Sequence, residues 1–302
     1  MKMSIFTGAA TAIVTPFDNT GVNYTKFGEL IDWQIESGID ALIVAGTTGE
    51  EATLSDAEHK SVIEFAVKHI NNRVPIIVGA GSNDTLYALQ LAQHAESVGV
   101  NGLLMVTPYY NKSTQSAIVK HYTYLADRLH TPIILYNVPG RTGFNIGVNA
   151  VVELSKHPNI VGIKEASGNI SYVAEIAARV EKDFDIYSGN DDMIVPVLSL
   201  GGKGVISVLS NVCPRETHDI VTNYLNGNIS AARDAQLHLF RFIKALFIET
   251  NPIPIKTCMN LLGYNVGDLR LPLAEMEEQN KAVLIREMER IGLMPTQKET
   301  TK

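Results

Sequence analysis

PIILYNVPGRTGFNIGVNAVVELSKHPNIVGIKEAS, residues Pro132–Ser167, opens and closes on apolar runs, Pro132–Pro139 and Ile160–Ser167. The stretch between them is long enough for a crossover helix. A strand that is apolar along nearly its whole length is buried on both faces, as in a parallel sheet covered by helices. Outward from this unit, comparable runs recur roughly every 25 to 30 residues, the length of a strand plus a helix. They are Ala10–Phe17, Ala41–Thr48, Val74–Gly81, Gly102–Tyr110, Asp185–Asp191 and Gly204–Ser210, which with the first two make eight. The segments between them read as helices. Tyr24–Glu36 places Phe27, Leu30, Ile31 and Ile35 on one face, Ser55–Ile70 opens on a capping Ser55 with Glu58 three residues on, and Asp84–Val98 starts at an Asn-Asp signal and stops at Gly99. Eight alternating units predict an α/β fold closed as a (β/α)8 TIM barrel in preference to an open doubly wound sheet. About 90 residues follow the eighth strand, with helical periodicity over Ala231–Ile248 and Leu273–Ile291. The expected organisation is therefore a barrel over 1–225 and a C-terminal helical extension over 226–302, packed on it.

Composition narrows the function classes. With 302 residues, 45% of them hydrophobic and 19% charged, the chain can bury a large core, and neither disorder nor a fibrous fold fits. A net charge of -7 without any Lys/Arg-rich stretch offers no footing for nucleic acid or acidic lipid. Met1–Ala12 lacks the apolar run of a signal peptide and no segment approaches a membrane span, so a cytoplasmic protein is expected. Cys213 and Cys258 stand far apart without metal-ligand spacing and read as reduced thiols. The eight histidines form no HxH or HExxH pair and the acidic residues at strand ends do not cluster, so neither metal nor cofactor is expected.

Active sites of such barrels lie at the C-terminal ends of the strands, which gives polar residues there particular weight. Lys164 lies in a strand otherwise made of Ile160, Val161 and Ile163, and period-two alternation groups it with Ile160 and Gly162. Pointed inward, its ammonium would be desolvated and its pKa lowered, giving an amine able to attack a ketone and form an imine. Pointed outward, it would reach solvent or an acidic partner such as Glu165. Tyr136, at the mouth of the neighbouring strand, is either a proton donor and acceptor for a lysine adduct or a packing residue. Thr48 and Tyr110 could extend a hydroxyl chain to bulk water. The turn Gly46-Thr47-Thr48-Gly49 offers N–H groups and hydroxyls suited to a carboxylate, and Arg141 has the planar donor fork for a second one. The turn lacks the glycine spacing of a P-loop or dinucleotide fingerprint. Gly201, Gly202 and Gly204, reinforced only by Lys203, read as a plain turn before the eighth strand.

Taken together, GTTGE at Gly46–Glu50, TPYYNK at Thr107–Lys112, YNVPGRTG at Tyr136–Gly143, GIKEASG at Gly162–Gly168, SGND at Ser188–Asp191 and NPIPIK at Asn251–Lys256 resemble the dihydrodipicolinate synthase and N-acetylneuraminate lyase superfamily. The resemblance runs in order over essentially the whole chain. It implies that Lys164 forms an imine with pyruvate, that Thr47 and Thr48 hold the pyruvate carboxylate, and that Tyr136 and Thr48 relay protons. It also implies that Tyr110 reaches into a neighbouring subunit's site, within a homotetramer built from two dimers. Arg141 resembles the synthase pattern and would bind the carboxylate of L-aspartate 4-semialdehyde, with Gly189 and Ile206 lining the pocket through main chain. The implied reaction is condensation of pyruvate with that semialdehyde, towards diaminopimelate and lysine. A lyase for sialic acid or 2-keto-3-deoxy sugar acids is the alternative within the class, and a non-catalytic pyruvate-binding barrel the alternative outside it. Relatives inhibited by lysine bind it through a polar cluster at the dimer interface. Asn83, His59 and Tyr109 match that cluster, whereas Glu51, Asp56 and Tyr87 depart from it, so weak or absent lysine inhibition is expected.

Overall fold

A computed structural model describes residues 2–294. Eight short, β-branched or aliphatic segments form its strands: β1 Gly8–Ala12, β2 Ala41–Val44, β3 Ile76–Gly79, β4 Gly102–Val106, β5 Ile133–Asn137, β6 Ile160–Glu165, β7 Asp185–Ser188 and β8 Gly204–Ser207. All pair in parallel with their sequence neighbours, and β8 returns to β1, so the sheet closes into a barrel. The closing seam pairs Gly8 with Gly204. A Cβ on Gly204 would stand 1.8 Å from the Gly8 carbonyl oxygen, so this close approach of two backbones requires glycine. Gly204 is thus a seam residue, and its place in the glycine-rich turn is secondary.

Alternation along the strands divides the core in two. Ala10, Ala12, Ala41, Ile43, Ile77, Leu104, Ile134, Tyr136, Tyr187 and Ile206 point inward and pack on one another. Leu42, Val44, Val78, Leu103, Met105, Leu135, Ile163 and Val205 point outward, against the helices. Alanines on β1 and β2 leave room for the larger side chains of the opposite wall, and Phe6 seals the base by stacking on Tyr187 at 4.4 Å. β1 is shorter than Ala10–Phe17: it ends at Ala12, and Phe17–Asp18 turns away into a small antiparallel ribbon with Gly21–Val22.

The helices obey the caps written in the sequence. Tyr24–Glu36 is capped by Asn23, Asp56–Ile70 carries the full capping box of Ser55 and Glu58, and Thr85–Ser97 starts at Asp84, whose carboxylate accepts from the Leu86 and Tyr87 N–H groups. The helix Pro214–Leu225 completes the eighth unit. Three more follow: Ile229–Leu246, Ile253–Leu261 and Glu278–Arg290. They bury Phe242, Leu246, Cys258 and Met288 in the same outer core as the barrel helices. The last is shorter than Leu273–Ile291 because residues 271–277, led by Pro272, run as irregular chain, while Ile253–Leu261 was not foreseen. Residues 295–302, at the end of the expected extension, lie outside the described residues, as does Met1. Among the described residues no helix is long and apolar enough to cross a membrane.

Candidate active site

Lys164 enters the barrel because of what surrounds it on β6. The register between β5 and β6 shifts at Ile133/Ile134, so Ile160 packs in the outer core while Gly162 and Lys164 face inward. The expected grouping of Lys164 with Gly162 holds, and Ile160 leaves it because of this irregularity. A Cβ on Gly162 would stand 2.6 Å from the Asp185 carbonyl oxygen, so glycine lets β7 close in beneath the lysine. Lys164 pairs across with Tyr136 on β5 and Tyr187 on β7, and is buried. Its Nζ stands 4.3 Å from the centre of the Tyr136 ring. Glu165, the outward alternative partner, is occupied elsewhere: it accepts from Asn137 Nδ2 at 2.7 Å and from the Ser167 N–H at 2.6 Å, and burial pushes its carboxyl up. Glu51 and Asp191, both raised by burial, are the carboxyls that feel the charge of Lys164.

Above the lysine lies a cavity of about 180 Å³, lined by Gly46, Thr47, Thr48, Tyr136, Arg141, Lys164, Gly189 and Asn251 with an apolar floor. Thr47 and Thr48 sit in the one-turn helix Thr47–Gly49 at the end of β2, where Glu50 takes a left-handed φ of 56°. Thr48 is buried and its Oγ1 accepts from Asn251 Nδ2 at 3.0 Å. Arg141, in the short helix Pro139–Thr142 after β5, donates through Nη2 to the Asn251 carbonyl at 2.8 Å. Gly189 donates its N–H to the Glu165 carbonyl at 2.7 Å, and a Cβ there would meet Ala166 Cβ at 2.7 Å. Behind it, buried Asp191 accepts from the Val208 and Leu209 N–H groups at 3.0 and 2.9 Å.

The chain thus brings together Lys164, Tyr136, Thr47, Thr48, Arg141 and Gly189 from four strand ends, those of β2, β5, β6 and β7. Two expected residues stand apart. Ile206 is buried in the barrel interior without lining the cavity, where Val208 takes the place. Tyr110 is 91% exposed with a left-handed φ of 68°, and its ring lies outside this cavity. Asn251 was missed as a site residue although its motif was noted, because nothing in NPIPIK shows that its first residue folds back over β2. The same motif supplies Lys256, whose Nζ pairs with Glu50 Oε1 at 2.8 Å with both side chains buried.

A second polar group lies beside the second and third strand ends. Glu51 places its carboxylate against Gly79, where a Cβ would stand 2.3 Å from Oε2, and burial pushes the carboxyl up to about 7. His59 Nε2 lies 3.0 Å from the Gly79 carbonyl, and the Tyr87 hydroxyl donates to Asp56. Among the described residues no group of three His, Cys, Asp or Glu is placed to hold a metal ion.

A buried primary amine at the centre of a closed β/α barrel, faced by a phenol and roofed by hydroxyl, N–H and guanidinium donors, is the equipment of a lysine-dependent carbonyl-condensing barrel. The chain belongs to the dihydrodipicolinate synthetase family, whose model matches residues 5–291. It is 52% identical to the 4-hydroxy-tetrahydrodipicolinate synthase of Acetivibrio thermocellus, over 97% of this chain and 100% of that one. The synthase of the same name from Clostridium tetani is 50% identical over 97% of this chain and all of its own. The crystal structure of dihydrodipicolinate synthase from Thermotoga maritima superposes with a TM-score of 0.94 at 40% identity, covering 96% of this chain and 100% of that one.

Proposed function

We propose that this chain is a lyase that condenses pyruvate with L-aspartate 4-semialdehyde to 4-hydroxy-tetrahydrodipicolinate, the committed step towards diaminopimelate and lysine. The observation that carries the site assignment is the buried Lys164 amine against the Tyr136 ring, beneath the Thr47–Thr48 turn.

The chemistry follows from these groups. The Lys164 amine adds to the pyruvate ketone and water leaves, giving an imine whose positive charge acidifies the methyl group. Loss of a methyl proton yields an enamine, and its carbon attacks the aldehyde to make the new C–C bond and a hydroxyl. The amino group of the semialdehyde then attacks the imine carbon, closes the ring and releases the lysine, so one water is lost overall. Tyr136, whose ring centre lies 4.3 Å from the amine, carries protons in these steps in this reading. The Thr47 and Thr48 hydroxyls hold the pyruvate carboxylate, with Thr48 also in the relay, and Arg141 takes the semialdehyde carboxylate as a charge-assisted fork. Gly189 contributes main chain, and Ile206 supports the floor from below.

Tyr110 completes the relay of a neighbouring subunit in this reading. Tyr110 is 91% exposed in a strained backbone conformation and does not line its own subunit's cavity, which is what a residue serving a symmetric partner's site requires. The assembly is accordingly a homotetramer of two dimers, working in the cytoplasm without nucleic acid, membrane, metal or cofactor. The test is turnover of pyruvate and L-aspartate 4-semialdehyde coupled to a reductase that consumes the product. Turnover supports the synthase. If no turnover is seen in a protein that borohydride still labels with pyruvate, the aldolase class stands and the second substrate is wrong.

A further inference from the structure

The pyruvate-carboxylate turn is held from outside the barrel. Asn251, from the chain joining the helices Ile229–Leu246 and Ile253–Leu261, is 5% exposed and touches both halves of the cavity. Its side-chain amide donates to Thr48 Oγ1 at 3.0 Å, and its carbonyl accepts from Arg141 at 2.8 Å. Its Oδ1 is buried with no hydrogen-bond partner. A hydroxyl has one proton to give and two lone pairs to receive with. With one lone pair taken by the Asn251 amide, the Thr48 proton is directed away from Asn251 and is free for a ligand in the cavity that Thr48 lines, and one lone pair is left to accept.

We propose that Asn251 is a positioning residue: by donating to Thr48 Oγ1 it fixes the threonine as a donor to the pyruvate carboxylate, while its carbonyl separately sets the reach of Arg141. The inference rests on the imine reading of the site. It gives the C-terminal extension a part in substrate binding, because the residue that polarises the turn comes from there. The Lys256–Glu50 pair in the same motif anchors the far end of that turn.

The discriminating variant is Asn251→Asp, which keeps size and main chain but replaces the N–H donor with an acceptor. Thr48 must then turn its proton to the aspartate and present a lone pair to the carboxylate. The readout is borohydride trapping of pyruvate across a pyruvate titration, which needs no second substrate, with thermal melts to confirm folding. We expect half-maximal trapping in N251D to need roughly tenfold more pyruvate or beyond at pH 8, with the deficit shrinking as the pH is lowered and the new carboxyl protonates. The KM for the semialdehyde should change far less, since the Asn251 carbonyl is retained. In a Thr48→Val background the substitution should add no further loss. A wild-type pyruvate titration in N251D overturns the proposal and means that Thr48 donates to the amide oxygen instead. So does a loss of the same size in the T48V background. If N251D does not fold, Asn251→Ala run through the same cycle decides by the same criterion. Absence of trapping in the wild type would remove the imine reading and this inference with it, whereas trapping that is indifferent to Asn251 removes the inference alone.

Discussion

Lys164 is an interior lysine because its strand and both neighbours make it one: Gly162 lets β7 close in below, and the register shift between β5 and β6 fixes the face. Removing the amine removes the nucleophile, so Lys164→Ala should abolish borohydride-trappable pyruvate labelling and lower turnover by about three orders of magnitude or more. Labelling that persists would identify a different nucleophile. Arg141→Ala should keep the labelling and raise the KM for the semialdehyde by roughly 10 to 100-fold, the usual cost of a charge-assisted hydrogen bond. Glu51 carries a pH signature. Its carboxyl, raised by burial to about 7, is held above the ordinary carboxyl value, so the fold favours the protonated form. The stability this contributes is complete below the ordinary carboxyl pKa and is lost as the pH rises through about 7. Glu51→Gln stays neutral throughout, so its stability should match the parent near pH 4 and exceed it at pH 8 by on the order of 3 kcal/mol, read from melts at the two pH values. Equal differences at both pH values would mean that Glu51 does not titrate in this range.

At the scale of elements, two tethers differ in what they support. The capping box of Ser55 and Glu58 begins the helix Asp56–Ile70, and neither residue lines the cavity. Ser55→Ala should cost about 1 kcal/mol and leave the kinetic constants unchanged. The Lys256–Glu50 pair joins the helix Ile253–Leu261 to the turn that carries Thr47 and Thr48. Lys256→Met leaves a buried carboxylate without its cation, so it should cost roughly 3–5 kcal/mol and also raise the KM for pyruvate. Thermal melts and pyruvate kinetics on the two variants distinguish them. A loss of stability in K256M with unaltered pyruvate binding would mean that the tether does not shape the turn.

For the whole molecule, Tyr110 is the residue that a single subunit leaves unexplained. If it serves a neighbour's site, co-expression of Lys164→Ala and Tyr110→Phe chains should yield hybrid dimers with one intact site. Random pairing then restores about a quarter of wild-type activity, above that of either parent. Activity no greater than the mean of the parents would place Tyr110 in its own subunit's site. The polar group around Glu51 bears on regulation. Tyr87 and Asp56 already satisfy each other through the tyrosine hydroxyl. Lysine bound among these residues, as the resemblance implies for inhibited relatives, would meet that bond already made, and we expect weak or absent inhibition. Half-inhibition at submillimolar lysine in the coupled assay would contradict this.

Strand number, helix starts and chemical class were legible in the sequence because each is local. An apolar run of four to six residues ends where a turn residue stands, and Ser55 or Asp84 caps whichever helix follows it. The joint motifs carried Lys164, Tyr136, Thr47, Thr48, Arg141 and Gly189 to their places in one cavity. What required the tertiary structure was non-local. The inward face of Lys164 depends on a register shift between β5 and β6 that no single strand reveals. The closing contact of Gly204 on Gly8 joins residues 196 positions apart. The grip of Asn251 on Thr48 spans 203 positions. Local propensity cannot specify such contacts, because the free energy that selects them comes from closing the barrel and burying the C-terminal helices against it.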